Sequence, residues 1–305
     1  MKFSISKYVW FDGKFVLGTR ANVPVTTHAI HYGTSIFEGI RAYWNTKNLF
    51  IFRLKEHTKR FRNSGNFYNI SLNFSDRQIE NAIINLCRKN RIRKSCYIRP
   101  FYFVGQYGIN FHVTQKAPTH TAIFAFPFGD LFNKSGITAT ISKWRKFSDM
   151  STPTQAKMGG NYLNSILATQ DAKQRGFDEA ILLDQSGNVS EAPGENIFLV
   201  KNNKLITPSL SSSALDGITR KSIITLAKDM KLKIKAQKVS KKELKMADEI
   251  FLSGTAAEIT PVIKIDKKKI GEGKVGNITK LFMGTYSDIV MNKSENYSHW
   301  LTAVY

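Results

Sequence analysis

The sequence predicts a two-domain α+β fold, and three observations lead to this prediction. The chain has 305 residues, and domains average about 150 residues. Short apolar strands and amphipathic helices alternate along the chain with many hairpin-like connections, a mixture typical of α+β proteins. A short stretch with a glycine at each end, 129–136, separates two sets of elements. We therefore expect an N-terminal domain at 1–128, an interdomain loop at 129–136 and a C-terminal domain at 137–305.

Local signals define the elements of the first set. Asp12-Gly13 lies between two apolar runs and predicts a hairpin from Tyr8 to Gly18. Ser75, with Gln78 three residues later, predicts a capping box at the start of a helix. The other elements expected here are a strand at Leu49–Leu54, a helix at Leu54–Asn63 closed by Gly65, and strands at Cys96–Val104 and Thr121–Phe126.

The second set contains more helices. Ser240 and Glu243 form another capping-box pattern and predict another helix. The other predicted elements are strands at Gly136–Trp144, Glu179–Leu183, Asn196–Val200 and Glu249–Leu252, and helices at Asn161–Arg175, Ile218–Met230 and Gly276–Met291.

Composition excludes several classes of protein. No apolar run approaches the roughly 18 residues that span a bilayer, and the N-terminus lacks the apolar region of a signal peptide. Two cysteines, Cys87 and Cys96, provide neither a disulfide scaffold nor a zinc-ligand spacing. We therefore expect a cytoplasmic protein without a metal site. The net charge of +22 is compatible with scattered surface lysines, with encounter of anionic metabolites, or with nucleic-acid binding.

Two segments could bind an anion. The small residues at 253–257 follow a strand, where successive N–H groups can form an anion-binding nest. Residues 215–220 open a helix, and a helix N-terminus attracts phosphate. Without further context, an ordinary turn or a helix N-cap explains each segment as well.

Other candidates are single residues or pairs. Tyr97 and Arg99 share one face of a strand and could recognise a carboxylate, or lie on an exposed face. Residue chemistry alone does not distinguish Lys157 from the many other lysines. His28 and His31 lack metal-binding spacing and are interpreted as structural.

Several ordered blocks resemble the branched-chain amino acid aminotransferases, which are pyridoxal-phosphate enzymes of fold type IV. The resemblance extends over nearly the whole chain. Its main blocks are His28–Arg41, Tyr97–Pro100, Ala156–Tyr162, Gly194–Asn196, Gly217–Arg220 and Phe251–Pro261.

The resemblance implies pyridoxal 5′-phosphate as the cofactor, held in a cleft between a smaller N-terminal and a larger C-terminal domain. In the family pattern Lys157 forms the Schiff base and moves the proton, Glu191 pairs with the pyridine nitrogen, and Tyr162 lies beside the 3′ oxygen. The phosphate ligands implied are Arg60, Ile218, Thr219 and Thr255.

The resemblance also implies a substrate site. Tyr97 with the Thr255–Ala256 backbone would take the α-carboxylate, and Arg99 with Tyr32 of the partner subunit the distal carboxylate of glutamate. Phe37 and the partner's Phe111 would line the apolar pocket. The expected reaction is ping-pong transfer of an amino group between L-leucine, L-isoleucine or L-valine and 2-oxoglutarate.

Two departures from the family pattern bear on the pocket. Phe128 stands where bacterial relatives often have Trp, which predicts an altered side-chain preference. Ala192-Pro193 replaces smaller residues after Glu191, and proline removes a backbone donor there.

The resemblance implies at least a homodimer, with further assembly left open. Partners other than amino acids and 2-oxo acids, including nucleic acid and membranes, are not expected. Rival functions on the same fold are D-amino acid aminotransferase and aminodeoxychorismate lyase, and a basic nucleic-acid-binding protein is a distant third.

Overall fold

The structure, a computed structural model, describes residues 5–305. Its contacts group into two compact units. The first contains the described residues up to Gly129, together with 156–160 and 288–305, and the second contains 130–155 and 161–287. The expected domain division at 129–136 stays a prediction. The two compact units differ from this division because residues 156–160 and 288–305 group with the first unit.

The chain forms sixteen strands within the described residues. They are β1 Tyr8–Phe11, β2 Lys14–Leu17, β3 Ser35–Phe37, β4 Ile40–Trp44, β5 Leu49–Phe52, β6 Cys96–Val104, β7 Thr119–Pro127, β8 Ile137–Arg145, β9 Glu179–Leu183, β10 Asn196–Lys201, β11 Lys204–Pro208, β12 Ile234–Gln237, β13 Glu249–Gly254, β14 Glu258–Ile265, β15 Lys268–Lys269 and β16 Leu301–Ala303.

The same residues form seven α-helices. They are α1 His28–Tyr32, α2 Leu54–Asn66, α3 Asp76–Lys89, α4 Tyr162–Gln174, α5 Ile218–Asp229, α6 Lys241–Lys245 and α7 Asn277–Val290. Short 3-10 helices lie at Gly18–Arg20, Gly159–Asn161, Leu210–Ser212 and Glu295–Trp300.

The first unit is built on an antiparallel sheet with the order β16-β5-β4-β6-β7-β1-β2, in which β3 pairs with β6. The long strands β6 and β7 pair from Cys96↔Pro127 to Val104↔Thr119. Apolar residues of α2, α3 and the sheet form one core, which includes Phe61, Ile83 and Ile98. This core fixes the positions of the β3, α2 and β6 side chains that concern the site.

The second unit has a mixed sheet with the order β12-β11-β10-β13-β14-β8-β9, and β15 pairs with β14. Strand β8 runs parallel to both β9 and β14, whereas β10 and β13 are antiparallel. The core of this sheet includes Ile197, Leu199 and Leu252. The N-terminal end of β10 and the C-terminal end of β13 meet through Asn196↔Ser253.

The elements with strong local signals form where the sequence predicts them. β1 and β2 form the expected hairpin, with positive φ at both Asp12 and Gly13. Ser75 and Ser240 each accept the expected backbone N–H in a complete capping box. The expected end of the second helix is wrong, because α2 continues through Gly65. A Cβ at Gly65 would lie 1.8 Å from the Tyr102 hydroxyl, so this glycine makes room for a tyrosine.

No helix within residues 5–305 combines the length and apolarity needed to cross a membrane.

Candidate active site

Lys157 lies in a short segment that packs along β3 in the first unit. Met158 forms a β-bridge with Ile36, and the Phe37 N–H donates to the Lys157 carbonyl at 3.2 Å. The Lys157 N–H donates to Ser64 Oγ at 3.0 Å. The backbone on both sides of the lysine is therefore fixed by the sheet and by α2.

The glycines that follow Lys157 allow a close approach of two backbone segments. The Gly160 N–H donates to the Gly33 carbonyl at 3.1 Å. A Cβ at Gly33 would come within 2.9 Å of the Gly160 Cα, and one at Gly159 within 2.3 Å of Ser35 Oγ. Larger residues here would push the lysine segment away from β3.

The Lys157 amine is in an environment that favours its neutral form. Its Nζ lies 4.8 Å from the centre of the Phe37 ring. Burial, with the positive charge of Arg60 as the next cause, lowers the pKa of Lys157 to about 8. A lysine with such a pKa carries a substantial fraction of free amine near neutral pH, as a nucleophile or general base requires.

A buried acid, Glu38, lies beside this amine. Its carboxylate accepts from Arg60 Nε at 2.5 Å, from Arg60 Nη2 at 2.9 Å and from His57 Nδ1 at 2.7 Å. Burial alone would raise the pKa of Glu38, but Arg60 and His57 hold it well below its usual range. Burial lowers the pKa of His57 in turn. The cluster orients Arg60, the phosphate ligand implied by the resemblance.

Sequence reasoning missed Glu38 and His57. The available signal was the position of an acid inside the apolar run Ile-Phe-Glu-Gly-Ile at 36–40. A carboxylate on such a run must be paired when buried.

Tyr97 and Arg99 share a face of β6, as the sequence predicts. Arg99 Nη2 donates to the Tyr97 hydroxyl at 3.3 Å, and the guanidinium lies 4.6 Å from the Phe37 ring centre. Arg99 Nε is buried without a hydrogen-bond partner, and no acid within residues 5–305 forms an ion pair with this arginine. A half-buried guanidinium without a counter-ion is suited to bind an external carboxylate.

Aromatic rings surround the pair formed by Tyr97 and Arg99. The Tyr97 ring lies 5.3 Å from the rings of both Phe126 and Phe128. Arg41, which no local sequence signal marks as functional, lies 5.2 Å from the Phe128 ring centre. A Cβ at Gly39 would lie 1.7 Å from the Tyr97 hydroxyl. The departure at position 128 therefore falls directly against the predicted carboxylate-binding tyrosine.

Tyr32 and Phe111 lie together elsewhere on the first unit. Their rings are 5.1 Å apart, and Phe111 is 82% exposed. His28 packs 4.5 Å from the Tyr32 ring and bonds to Thr34 and to the Asn110 carbonyl. His28 is thus structural, and His31 bonds to the Val25 carbonyl. That Tyr32 and Phe111 serve the partner's site stays a prediction.

Glu191 lies in the second unit, in the connection between β9 and β10. Its Oε1 pairs with Lys146 Nζ at 2.6 Å. Its Oε2 accepts from Asn196 Nδ2 at 3.2 Å and from the Leu215 N–H at 2.9 Å. This buried acid therefore contacts one cation and two neutral donors. Lys146 and Asn196 were both missed, because their pairing depends on tertiary structure.

The loop after Glu191 accommodates its proline. The Pro193 carbonyl accepts from Ser165 Oγ at 2.8 Å, and the Ala192 N–H donates to the Glu195 carbonyl at 2.8 Å. Replacement of the family's smaller residues thus leaves the loop hydrogen bonded.

The two suspected anion sites share this unit. Gly217 is the N-cap of α5 and provides no side-chain cap, and Ile218 and Thr219 are buried behind it. Thr255 and Ala256 lie in the turn between β13 and β14. Ser253, just before this turn, has a buried hydroxyl without a hydrogen-bond partner in the described part of the chain. Uncapped N–H groups and an unsatisfied hydroxyl are what a phosphate group would use.

Asn196 connects Glu191 with the start of α5. Its amide nitrogen donates to Glu191 and, at 2.8 Å, to the Leu215 carbonyl. A Cβ at Gly217 would lie 2.0 Å from its Oδ1. One side chain therefore fixes the spacing between the acid and the helix terminus.

The residues of the two units fit pyridoxal phosphate chemically. The first unit presents an amine with a lowered pKa and an arginine without a counter-ion. The second presents a paired carboxylate and an uncapped helix N-terminus. These are the groups that a pyridine nitrogen, an aldehyde and a phosphate require.

Comparison with known proteins supports the same chemistry. Residues 35–265 match the family described as amino-transferase class IV. The branched-chain-amino-acid aminotransferase of Salmonella typhimurium is 42% identical over 301 residues, which are 97% of each chain.

Solved structures agree closely. The branched-chain aminotransferase of Thermoproteus uzoniensis with norvaline is 39% identical, with a TM-score of 0.95 over 98% of this chain and 100% of its own. The T.th. branched-chain amino acid aminotransferase complexed with N-(5′-phosphopyridoxyl)-L-glutamate is 40% identical, with a TM-score of 0.95 over 98% and 99%. The fold, of fold type IV, is therefore that of these enzymes. The chain belongs to the amino-transferase class IV family, in its group of branched-chain amino acid aminotransferases.

Proposed function

We propose that this protein catalyses the reversible, pyridoxal-phosphate-dependent transfer of an amino group between L-leucine, L-isoleucine or L-valine and 2-oxoglutarate. The observation that carries the proposal is that the first unit contains both an amine with a lowered pKa and a guanidinium without a counter-ion. Lys157 has an amine whose pKa is lowered to about 8. Arg99, in the same unit, has a guanidinium without a counter-ion beside aromatic rings.

When bound, pyridoxal phosphate supplies an aldehyde carbon and a cationic ring that draws electrons from the substrate Cα. Lys157 would hold the cofactor, Glu191 would accept the hydrogen bond of the ring N–H, and Tyr162 would bind the 3′ oxygen. The phosphate group would be bound by Arg60, Ile218, Thr219 and Thr255.

Lys157 Nζ is also the proposed proton carrier. The free amine accepts the proton from the substrate Cα, holds it as an ammonium and then donates it again. A pKa of about 8 suits both directions, because neither the amine nor the ammonium is strongly favoured near neutral pH.

The substrate site must accept both an apolar side chain and a second carboxylate. We propose that Tyr97 and the Thr255–Ala256 backbone bind the α-carboxylate. Arg99, with Tyr32 of the partner subunit, would bind the distal carboxylate of glutamate. Phe37 and the partner's Phe111 would contact the branched side chain.

The ligands of the similar enzymes support this dual site. One was solved with norvaline, which has an apolar side chain, and another with a phosphopyridoxyl conjugate of glutamate. The rings beside Arg99 offer contacts for the first kind of side chain and its guanidinium for the second.

We further propose that the enzyme is at least a homodimer and acts in the cytoplasm. Exposed apolar residues on the first unit, among them Val25, Ile30, Ile109 and Phe111, support self-association. The two cysteines are free thiols and are buried, which suits a reducing compartment.

The test combines a spectrum with one pair of variants. The purified protein should absorb visible light, and borohydride should abolish this band and attach the cofactor to the peptide containing Lys157. Lys157→Ala should lower leucine transamination by about a thousandfold or more, because general base catalysis alone contributes about 10²–10⁴-fold. Lys268→Ala, an exposed lysine on β15, should leave the rate unchanged.

Substrate specificity separates the rivals on this fold. We expect turnover of L-leucine, L-isoleucine and L-valine with 2-oxoglutarate, and none of D-alanine. Turnover of D-alanine alone, or full activity of Lys157→Ala, would refute the proposal.

A further inference from the structure

Lys146 lies immediately after β8, and its backbone is held at two points. Its N–H donates to the Leu183 carbonyl at 2.8 Å, and its carbonyl accepts from Gln185 Nε2 at 2.7 Å. The register between β8 and β9 is irregular just before it, between Ile141 and Arg145, and such irregularities redirect the residues that follow. The lysine side chain thus leaves a fixed point of the sheet.

The Lys146 ammonium reaches a single acid. Its Nζ lies 2.6 Å from Glu191 Oε1, and the two side chains are only 15% and 6% exposed. Lys146 is the one cation within 4 Å of this carboxylate among residues 5–305. Burial alone would lower the pKa of Lys146, but Glu191 and then Tyr162 raise it overall. The lysine therefore stays charged, and it compensates the charge of Glu191.

The neighbouring groups do not replace Lys146. Burial lowers the pKa of Arg220, although Asp216 and then Glu191 act in the opposite direction. Its guanidinium contacts Asp216 at 3.5 Å and the Pro208 carbonyl at 3.2 Å. The Asn196 and Leu215 donors at Oε2 are neutral.

We propose that Lys146 is a positioning residue, whose ammonium pairs with the Glu191 carboxylate so that the proton between this acid and the ring of the bound cofactor stays on the ring nitrogen. This inference rests on the proposed function.

The physical reason is a competition for one proton. An acid and a pyridine in a poorly hydrated site can exist as a carboxylate with a pyridinium, or as a neutral acid with a neutral pyridine. If Glu191 took the proton, the buried Lys146 ammonium would lose its counter-charge, which is costly. The lysine thus favours the charged pair, and only the protonated ring is a strong electron acceptor.

The test uses the holoenzyme loaded with cofactor labelled with ¹⁵N at the ring nitrogen. In the wild type the ¹⁵N resonance should be that of a protonated pyridine. Lys146→Met, which keeps much of the side-chain length without the charge, should move it towards the neutral position. The turnover number for leucine should fall about tenfold for each tenfold decrease in the fraction of cofactor whose ring nitrogen is protonated. The change in KM should be much smaller. Lys146→Arg should restore both.

Two controls make the result specific. Lys143→Met removes an exposed lysine of β8, whose Nζ lies over Trp144, and should change neither readout. In a Glu191→Gln background, Lys146→Met should have little further effect, since the two residues act as one unit.

The outcomes distinguish the two proposals. If the wild type takes up no pyridoxal phosphate, the proposed function fails. If the wild type is active and Lys146→Met keeps the protonated resonance and the wild-type turnover number, the role of Lys146 is refuted and the proposed function stands. An equal loss in the wild-type and Glu191→Gln backgrounds would also refute it.

Discussion

Glu38 illustrates how a single buried acid organises its neighbours. Both of its oxygens accept charge-assisted hydrogen bonds, from Arg60 and from His57. Such an acid fixes the arginine side chain, and removal of one charge leaves the other without its counter-charge. Its position one residue before Gly39, and thus beside Tyr97, places this constraint next to the proposed substrate tyrosine.

We therefore expect Glu38→Gln to lower the free energy of unfolding by about 3 kcal/mol or more. Thermal unfolding should show a Tm lower by at least about 6 °C, at about 2–4 °C per kcal/mol. Glu56→Gln is the matched control, because Glu56 pairs with Arg53 at 2.6 Å but is 41% exposed. This variant should cost less than about 1 kcal/mol, and an equal loss in both variants would contradict the role of burial.

His57 predicts how stability depends on pH. The pKa of His57 is lowered in the folded state. Below about pH 6.5, the ordinary pKa of histidine, the unfolded chain therefore binds a proton at this residue more readily than the folded chain does. Stability should thus be lost as pH falls below about 6.5. The Glu38 contribution, whose folded pKa is depressed, is present above about 4.3 and is lost only at lower pH. Between pH 7 and 5, the Tm of His57→Asn should fall less steeply than that of the wild type; parallel curves would argue against this assignment.

The start of α5 is a helix terminus at which we propose a phosphate site. Gly217 precedes the helix without a side-chain cap, and Asn196 occupies the space where its Cβ would be. Because Asn196 also donates to Glu191, a disturbance at the helix terminus would reach the acid. The helix end and the carboxylate are thus one structural group.

Gly217→Ala should accordingly weaken cofactor binding by about tenfold, equivalent to about 1.4 kcal/mol, and lower stability by about 1–3 kcal/mol through overpacking. Gly284→Ala serves as the control. Apart from its chain neighbours and the adjacent backbone of its own helix, no atom of residues 5–305 lies within 4 Å of a Cβ there, and the position is inside α7. Alanine should stabilise that helix by about 0.5–1 kcal/mol. Fluorescence titration with pyridoxal phosphate and thermal unfolding measure both effects, and unchanged affinity in Gly217→Ala would contradict the link to Asn196.

Elements with local signals were predictable, and elements defined by tertiary packing were not. Asp12-Gly13 and the Ser75 capping box need only their neighbours in the chain. Strand β3 exists because it pairs with β6, and α2 continues past Gly65 because Tyr102 packs there. Neither partner is visible from the local sequence.

The same division holds for the site. Tyr97 and Arg99 were predictable as a pair from the period of a strand. The resemblance singled out Lys157 and Glu191, which residue chemistry alone did not. The charged side chains that act on them, Lys146 at Glu191 and Glu38 at Lys157, come from distant parts of the chain.

At the scale of the whole molecule, the charge of +22 has a simple use in the proposed function. The cofactor phosphate, the amino acid carboxylates and 2-oxoglutarate are all anions, and a positive field raises their encounter rate at low salt. The same charge needs no nucleic acid to explain it.

The proposed homodimer gives the last prediction. Phe111 is 82% exposed and contacts Tyr32, which itself adjoins His28. A large apolar side chain in that position gains stability only by burial against another surface. Phe111→Lys should therefore shift the protein towards the monomer in sedimentation velocity and raise KM for leucine, because the residue is proposed to line the partner's pocket.

Met246→Lys is the control for this variant, since Met246 is 50% exposed at the end of α6. It should change neither the sedimentation coefficient nor KM. A Phe111→Lys protein that remains a dimer but has a raised KM would support the pocket role and separate it from assembly. A wild type that sediments as a monomer with full activity would refute both, because no partner would then be present to supply Tyr32 and Phe111.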